Sequence, residues 1–313
     1  MITDRIAPGA KFAIVDIGSN TAKVSVYICF PGHGPVAMEH DADTVRIGFR
    51  VAETGRIADD RLERLIGTLE RFEAMARRLG ATTFTGVATQ AFRIADNAAE
   101  AVAAIEARTA WRIRIIEANE ELRLTAVGAR PWLVPGEPSV IADIGGASTE
   151  LVTIGGDGDV TASGSIPIGS GVLYDRTIMA SPPPAGSVDR ARELAMDAID
   201  AAEILPDSTG SLLLPGGTGQ FLSMLHQHLS PGEEFGPGAV SALHAWLSAR
   251  TAEDTMAAIP VQVDRAQVLP ASLAVVEALV LRSNPQRLGA IPSGIREAIA
   301  AEQCPPEDSR DTP

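Results

Sequence analysis

The chain has 313 residues, and its 40 acidic residues against 26 Lys and Arg give a net charge of −14. Because no run of basic residues offsets this charge, the composition argues against general nucleic-acid binding. Apolar residues make up 45% of the chain, which is enough for two hydrophobic cores and untypical of a disordered protein.

The sequence also predicts the environment of the protein. Residues 1–10 contain no apolar leader segment, and no stretch approaches the ~18 consecutive apolar residues of a membrane helix. Cys29 and Cys304 are far apart, with no CxxC spacing and no His/Cys cluster, so neither a zinc site nor a disulfide is expected. We therefore expect a soluble, cytoplasmic protein without a membrane partner.

The first predicted element is a hairpin over residues 11–28, with two apolar strands joined at a Gly-Ser-Asn turn. The same pattern returns later, because residues 14–21 can be laid over residues 141–148 with Asp-Ile-Gly at the same offset. This repeat predicts two lobes of related build that share a cleft, each contributing one phosphate-binding turn.

Helices and strands alternate after the first hairpin. A helix over 59–79, with apolar residues at three- and four-residue spacing, precedes a strand at 82–89 and a helix at 97–108. Arg93 follows that strand, where its planar guanidinium could reach a phosphate, or could lie solvated at the surface.

Asn119 is a candidate N-cap for a helix that runs to about Ala129. Glu120 and Glu121 occupy its first turn, where the helix dipole keeps a carboxylate ionised and able to accept a proton. Acidic residues are also common in first turns for helix stability alone. The residues themselves do not distinguish Glu121 from Glu120 as a catalytic base.

The second hairpin, over residues 140–152, has the chemistry of an anion and metal site. Glycine lets backbone N–H groups approach a phosphate closely, and hydroxyl side chains add donors. Asp143 and Glu150 should face each other across the turn, where two carboxylates are more stable with Mg²⁺ between them. The predicted phosphate-binding residues of both turns are Gly18, Ser19, Asn20, Thr21, Gly145, Gly146, Ala147, Ser148 and Thr149.

The second half repeats the alternation. The predicted helices span 188–203, 218–229, 239–257 and 265–282, with a short strand at 212–214, a strand over 163–169 and a final helix after Ile295. Gly216, Gly217 and Thr218 form either a further nucleotide or phosphate loop or a tight connection. His226 and His228 are expected at the surface, and the polar residues 302–313 are expected to fray.

Six segments of the chain resemble the Ppx/GppA phosphatases, a family within the superfamily of sugar kinases, Hsp70 and actin. The segments are residues 15–21, 88–93, 119–124, 143–152, 215–218 and 293–297. The resemblance implies an α/β fold of two ribonuclease H-like lobes around a central cleft. The expected lobes are 1–120 and 121–296, with the C-terminal helix, about 297–313, packing back on the first.

Residue roles follow from the same resemblance. It implies that Glu121, and not Glu120, is the catalytic glutamate, and that Arg93 lies near the phosphate chain. It assigns the metal-associated carboxylates to Asp143 and Glu150, with Asp16 as their counterpart in the first turn. Ala147 stands where the family usually has a third glycine, which restricts the turn slightly without removing a donor.

The implied activity is that of an exopolyphosphatase, which releases terminal orthophosphate from inorganic polyphosphate by metal-assisted attack of water. Mg²⁺ is the expected cofactor, with Mn²⁺ as an alternative. Hydrolysis of guanosine pentaphosphate (pppGpp) at the same site is the first alternative function. A small-metabolite kinase and a polyphosphate-binding sensor are more distant ones. No nucleic-acid partner is expected, and a homodimer is expected by analogy.

Overall fold

The computed structural model describes residues 5–305, which form two compact units. The first comprises residues 5–124 and 295–305, and the second comprises residues 125–294. The division falls after Leu124, so that Glu121 belongs to the first unit. The predicted frayed segment 302–313 lies largely outside the described residues, which end at 305.

The first unit is built on a five-stranded sheet. Its strands are β1 (Lys11–Ile17), β2 (Thr21–Phe30), β3 (Gly34–Thr44), β4 (Thr83–Ala88) and β5 (Arg112–Ile115). The sheet order is β3-β2-β1-β4-β5. The first three strands pair antiparallel, and β4 and β5 join parallel to β1. The predicted first hairpin is confirmed as β1 and β2.

Helices cover this sheet. They are α1 (Val51–Thr54), α2 (Asp59–Arg78), α3 (Gln90–Arg93), α4 (Ala98–Arg108), α5 (Ala118–Ala129) and, from the end of the chain, α12 (Ile295–Gln303). The predicted apolar stripe of α2 is the buried one, since Leu65, Leu69 and Phe72 are in the core. Trp111 packs edge-on against Phe84 in the same core.

The second unit contains the second sheet. Its strands are β6 (Ser139–Ile144), β7 (Thr149–Ile154), β8 (Val160–Ile166), β9 (Thr209–Pro215) and β10 (Pro285–Ile291). The order is β10-β9-β6-β7-β8, with β6, β7 and β8 antiparallel and β9 and β10 parallel to β6. Read from the opposite edge, this is the strand arrangement of the first unit. The predicted α/β fold class, with two ribonuclease H-like lobes, is confirmed.

The helices of the second unit are α6 (Ser170–Leu173), α7 (Ser187–Ala202), α8 (Gly216–Leu229), α9 (Ala239–Leu247), α10 (Ala252–Ala258) and α11 (Val263–Ser283). The prediction of one helix over 239–257 is wrong, because two helices lie there. The Thr251 hydroxyl accepts from the N–H of Asp254, whose carboxylate accepts in return from the N–H of Thr251. This capping box starts a new helix and separates α10 from α9.

The expectation of no disulfide is also wrong. Cys29, in β2, is bonded to Cys304, just after α12, with a Cα–Cα distance of 5.6 Å. The two residues are 275 positions apart, so no local sequence spacing indicates that they form a disulfide. They meet because α12 docks on the first sheet, where Arg296 donates hydrogen bonds of 2.9 Å to the Val24 carbonyl and to the Ser25 hydroxyl.

One described helix, α11, is long and apolar enough to cross a membrane by length and composition. It is not a run of ~18 consecutive apolar residues, because Asp264, Arg265, Glu277 and Arg282 interrupt it. Within its most apolar 18-residue stretch, 78% is buried in the protein. Leu273, Val276 and Leu279 are fully buried in the core of the second unit, which is the pattern of a central core helix.

Candidate active site

The first turn joins β1 to β2 and is closed by a hydrogen bond of 3.1 Å from the Gly18 N–H to the carbonyl three residues later. The carbonyls of Ser19 and Asn20 accept hydrogen bonds of 2.8 Å from the N–H groups of Gly48 and Arg46, respectively. The N–H groups of Ser19 and Asn20 themselves have no acceptor among residues 5–305. Two adjacent backbone donors are therefore available to a ligand.

Two side chains of this turn add further donors. The Asn20 Nδ2 and Thr21 Oγ1 atoms are buried and make no hydrogen bond within the described part of the chain. A buried polar group without a partner costs about 1–3 kcal/mol, so such groups are uncommon unless a ligand engages them. Four donors in one tight turn suit the oxygens of a phosphate group.

The second turn joins β6 to β7 and repeats this construction. The Gly145 N–H donates to the carbonyl three residues later at 2.9 Å. The carbonyls of Gly145 and Gly146 each accept a hydrogen bond of 2.9 Å from the first two N–H groups of α6. Across the described residues, the N–H groups of Gly146, Ala147 and Ser148 have no acceptor, so this turn offers three backbone donors.

The hydroxyl groups of the second turn are engaged within the protein. The Ser148 hydroxyl donates to Glu150 Oε1 at 2.8 Å, and the Thr149 hydroxyl donates to the Ile168 carbonyl at 2.6 Å. Both were predicted as phosphate-binding residues. In the structure, the Ser148 side chain orients a carboxylate and the Thr149 side chain anchors β7, so the donors of this turn that remain without an acceptor in the described chain are backbone N–H groups.

Asp143 and Glu150 are directly opposite each other in the β6–β7 hairpin, as that hairpin pattern predicts. Opposed residues of an antiparallel pair project from the same face of the sheet. Glu150 is buried, and its Oε1 also accepts a hydrogen bond of 2.9 Å from the Ser165 hydroxyl of β8. Asp16 has the equivalent place in the first hairpin, but lies opposite Lys23 instead of a second carboxylate.

This donor set fits a hard divalent cation. No group of three His, Cys, Asp or Glu side chains suited to a metal occurs within residues 5–305. Mg²⁺, however, commonly binds through one or two carboxylates and takes its other ligands from water and phosphate oxygens. Asp143 and Glu150 together meet that requirement.

Glu121 lies in the first turn of α5 and is paired with Arg93. Arg93 Nη1 donates to Glu121 Oε2 at 2.7 Å and to the Ile116 carbonyl at 2.9 Å. The side chains are only 15% and 9% exposed, respectively. The Nε and Nη2 groups of Arg93 have no acceptor in the described structure. Arg93 can therefore hold Glu121 with one nitrogen and present two others to an anion.

Glu120, the neighbouring candidate, is occupied differently. Arg114 donates to both of its carboxylate oxygens at 2.6 Å. This bidentate hydrogen bonding lowers the pKa of Glu120 against the opposing effect of its partial burial. A carboxylate held in this way is a weak proton acceptor, which favours Glu121 as the base on geometric grounds.

The turn after β9 lies beside the second turn. Gly216 has a left-handed φ of 75° and begins α8, and the Thr218 hydroxyl donates to the Ile144 carbonyl at 3.3 Å. The guanidinium of Arg265 lies against Gly217, where a Cβ would approach its Nη2 to 2.6 Å. Burial lowers the pKa of Arg265, and the charge of Asp143 opposes that shift. The guanidinium of Arg265 therefore lies near Asp143, one of the two carboxylates of the candidate metal site.

The family model of the Ppx/GppA phosphatase family matches residues 29–306. The chain belongs to this family. As a Ppx/GppA phosphatase it is a phosphoanhydride hydrolase.

Relatives named exopolyphosphatase are similar to this chain over most of its length. Exopolyphosphatase 1 of Mycobacterium leprae is 25% identical over 92% of this chain and 88% of that protein. Exopolyphosphatase 1 of Mycobacterium tuberculosis is 26% identical over 92% and 87%.

Solved structures share the fold. The Ppx/GppA family member of Aquifex aeolicus has a TM-score of 0.75 at 22% identity, covering 96% of this chain and 99% of that one. An exopolyphosphatase from Cytophaga hutchinsonii has a TM-score of 0.78 at 18% identity, covering 94% and 97%.

Sequence reasoning missed two side chains of this Ppx/GppA site, Ser165 and Arg265. Strand alternation could have found Ser165, because it is the β8 residue directly opposite Glu150. Arg265 carries a weaker signal: a cation in the first turn of an apolar helix opposes the helix dipole. The surface prediction for His226 is wrong, since its Nε2 lies 3.1 Å from the Glu234 carbonyl in a buried position, whereas His228 is exposed.

Proposed function

We propose that this protein is an exopolyphosphatase that releases terminal orthophosphate from inorganic polyphosphate, assisted by Mg²⁺ or, alternatively, Mn²⁺. The observation that carries the proposal is the pair of turns whose backbone N–H groups have no acceptor among residues 5–305. Each turn follows a strand with an aspartate at the same offset. The full-length relatives named exopolyphosphatase support polyphosphate as the substrate.

The proposed reaction is attack of a water oxygen on the terminal phosphorus. A bond to the incoming oxygen forms, the bond to the bridging oxygen breaks, and the shortened chain leaves with the bridging electrons. Glu121 accepts the proton of the attacking water, and Arg93 orients Glu121 through their hydrogen bond. The turn N–H groups bind non-bridging oxygens and stabilise charge as it shifts in the transition state.

Asp143 and Glu150 would hold the divalent ion. Ser148 and Ser165 orient Glu150 for this role by donating to the same carboxylate oxygen. When bound, such an ion neutralises charge on phosphate oxygens. Members of the family generally depend on a divalent metal, which agrees with this assignment.

The decisive test compares Glu121→Gln with Glu120→Gln. Glu121→Gln retains the shape and a hydrogen-bonding group but cannot accept a proton, so orthophosphate release should fall by roughly 100-fold or more while polyphosphate binding persists. Glu120→Gln, at the adjacent position, should retain most of the activity. Equal losses in both variants, or retained turnover in Glu121→Gln, would refute the role of Glu121.

The substrate is tested by measuring orthophosphate release from long polyphosphate, short polyphosphate and pppGpp side by side. Each assay is run with Mg²⁺, with Mn²⁺ and with a chelator. The proposal predicts fastest release from polyphosphate and loss of release on chelation. A clear preference for pppGpp would replace polyphosphate as the substrate, and metal-independent release would refute the role of Asp143 and Glu150.

A further inference from the structure

A short segment packs against the first turn and forms hydrogen bonds with its carbonyl groups. Residues 45–50, here called the clamp segment, follow β3 and supply the two N–H groups that bind the turn carbonyls. Val45 and Ile47 are buried, and Gly48 leaves no room for a side chain because a Cβ would lie 2.8 Å from the Ser19 Cβ. The clamp segment and the first turn are therefore closely packed and joined by two backbone hydrogen bonds.

Two arginines of the clamp segment have backbone conformations that disfavour arginine. Arg46 has a φ of 54° and Arg50 a φ of 58°. A non-glycine residue in this left-handed region costs about 1–2 kcal/mol, and such strain concentrates at functional sites. Glycine or asparagine would adopt the same conformation at a lower cost, so the arginine side chains need another explanation.

The two side chains have different surroundings. Arg50 is exposed and forms an ion pair of 2.8 Å with Glu53. Arg46 is half-buried, and its guanidinium has no hydrogen bond or ion pair with any of residues 5–305. Neighbouring arginines are engaged, since Arg61 and Arg64 donate to the Val45 and Thr44 carbonyls at 3.5 and 2.7 Å. Arg46, whose backbone lies beside the first turn, therefore carries a positive charge that has no acidic partner among residues 5–305.

The first turn has no charged hydrogen-bond donor of its own. Its donors, two backbone N–H groups with Asn20 Nδ2 and Thr21 Oγ1, are all neutral. Arg46 is hydrogen-bonded through its own N–H to the Asn20 carbonyl, so its long side chain lies within reach of an anion at that turn. A planar guanidinium can bridge two phosphate oxygens, and an acidic protein needs such local charge to attract a polyanion.

We propose that Arg46 binds the phosphate chain of the substrate at the first turn and that its strained backbone is retained for this purpose. The ligand class is a linear oligophosphate with more than one negative phosphate unit. The inference rests on the proposed function, whose reacting group is Glu121. Arg46 is a substrate-binding residue in this scheme and takes no part in proton transfer.

The test uses Arg46→Gly, with Arg50→Gly as the matched control. Both changes remove one positive charge and relieve one left-handed residue in the same segment, so both variants should be at least as thermally stable as the parent. Only Arg46→Gly should raise the KM for polyphosphate, by about tenfold, with a small change in kcat. Arg46→Lys should restore part of the affinity. A KM for Arg46→Gly equal to that of Arg50→Gly overturns the proposal.

Binding separates this inference from the proposed function. Tripolyphosphate is titrated into Glu121→Gln and into Glu121→Gln carrying Arg46→Gly, in both of which turnover should be slow enough for binding to be measured. The dissociation constant should rise about tenfold in the second protein, and its salt dependence should become shallower. If the parent protein binds tripolyphosphate but hydrolyses no oligophosphate, the proposed function fails while this comparison still decides the role of Arg46. Equal dissociation constants overturn the inference even if the parent is an active exopolyphosphatase.

Discussion

Arg93 and Glu121 form a buried ion pair with an N–O distance of 2.7 Å. In the proposed reaction Glu121 accepts a proton, and Arg93 supplies the opposing charge beside it. The same arginine also donates to the Ile116 carbonyl, which fixes its direction. Because the pair is largely excluded from water, each charge depends on the other more than at a surface salt bridge.

Removing one member of this pair should therefore lower the free energy of unfolding. Arg93→Ala removes a cation that contacts the buried Glu121 carboxylate and should lower the free energy of unfolding by about 3 kcal/mol. In the Glu121→Gln background the same change should cost much less, because the charge that Arg93 contacts is already absent. Urea unfolding of the four proteins measures this coupling. Arg56→Ala, which breaks an exposed pair of 3.8 Å with Glu100, is the control, and equal costs in both backgrounds would contradict the coupling.

At the scale of elements, the two hairpins were predictable because strong local signals coincide. Apolar alternation, Asp-Ile-Gly and a small-residue turn all occur within a dozen residues. β3 was missed because most of Gly34–Thr44 is exposed and therefore has no buried alternation to detect. β10 was missed because it begins with a proline and has few buried residues.

Site details that depend on distant contacts were not predictable. The acceptors of the Ser148 and Thr149 hydroxyls follow from tertiary placement, and the Thr149 acceptor is 19 residues away. The Cys29–Cys304 bond depends on docking of the last helix. Pattern reasoning therefore located the two turns and the helix that carries Glu121, whereas the hydrogen-bond partners within the second turn required the structure.

The start of α5 is fixed by the ion pair of Glu120 with Arg114 in β5, and this contact predicts an acid sensitivity. Arg114 depresses the folded-state pKa of Glu120 below its ordinary value of 4.5. The pair therefore stabilises the fold fully above that value, and the contribution is lost as pH falls through the lower folded-state pKa. Glu120→Gln should be less stable than the parent at pH 7 by on the order of 1 kcal/mol, and this difference should shrink as pH falls below 4.5 and through the folded-state pKa.

Urea midpoints measured from pH 7 to pH 3 test this expectation. Glu100→Gln, which removes an exposed carboxylate with a 3.8 Å partner, is the control for the loss of a surface carboxylate. A constant difference between Glu120→Gln and the parent across the whole range would show that the ion pair does not stabilise α5.

At the scale of the whole molecule, the same construction occurs once in each unit. In both, a glycine N–H closes the turn, and a segment after the third strand binds the turn carbonyls. In both, a glycine of that segment touches the turn so closely that no side chain fits. Gly48 faces Ser19, and Gly169 faces the backbone of Gly146. The repeated strand order thus carries a repeated turn construction, and if both turns bind phosphate as proposed, both copies should matter for activity.

Alanine substitutions at Gly48 and Gly169 test the two copies with the same chemical change, the addition of one methyl group. A Cβ at Gly48 would lie 2.8 Å from the Ser19 Cβ, and one at Gly169 would lie 2.6 Å from the Gly146 carbonyl carbon. Each turn must shift, so each variant should lose roughly 10- to 100-fold in kcat/KM for polyphosphate. Only Gly169→Ala should also raise the Mg²⁺ concentration for half-maximal rate, because its turn connects Asp143 to Glu150. Gly67→Ala, within α2 and with no atom near its added Cβ, should keep full activity. Wild-type kinetics in either turn variant would show that the corresponding turn does not bind substrate.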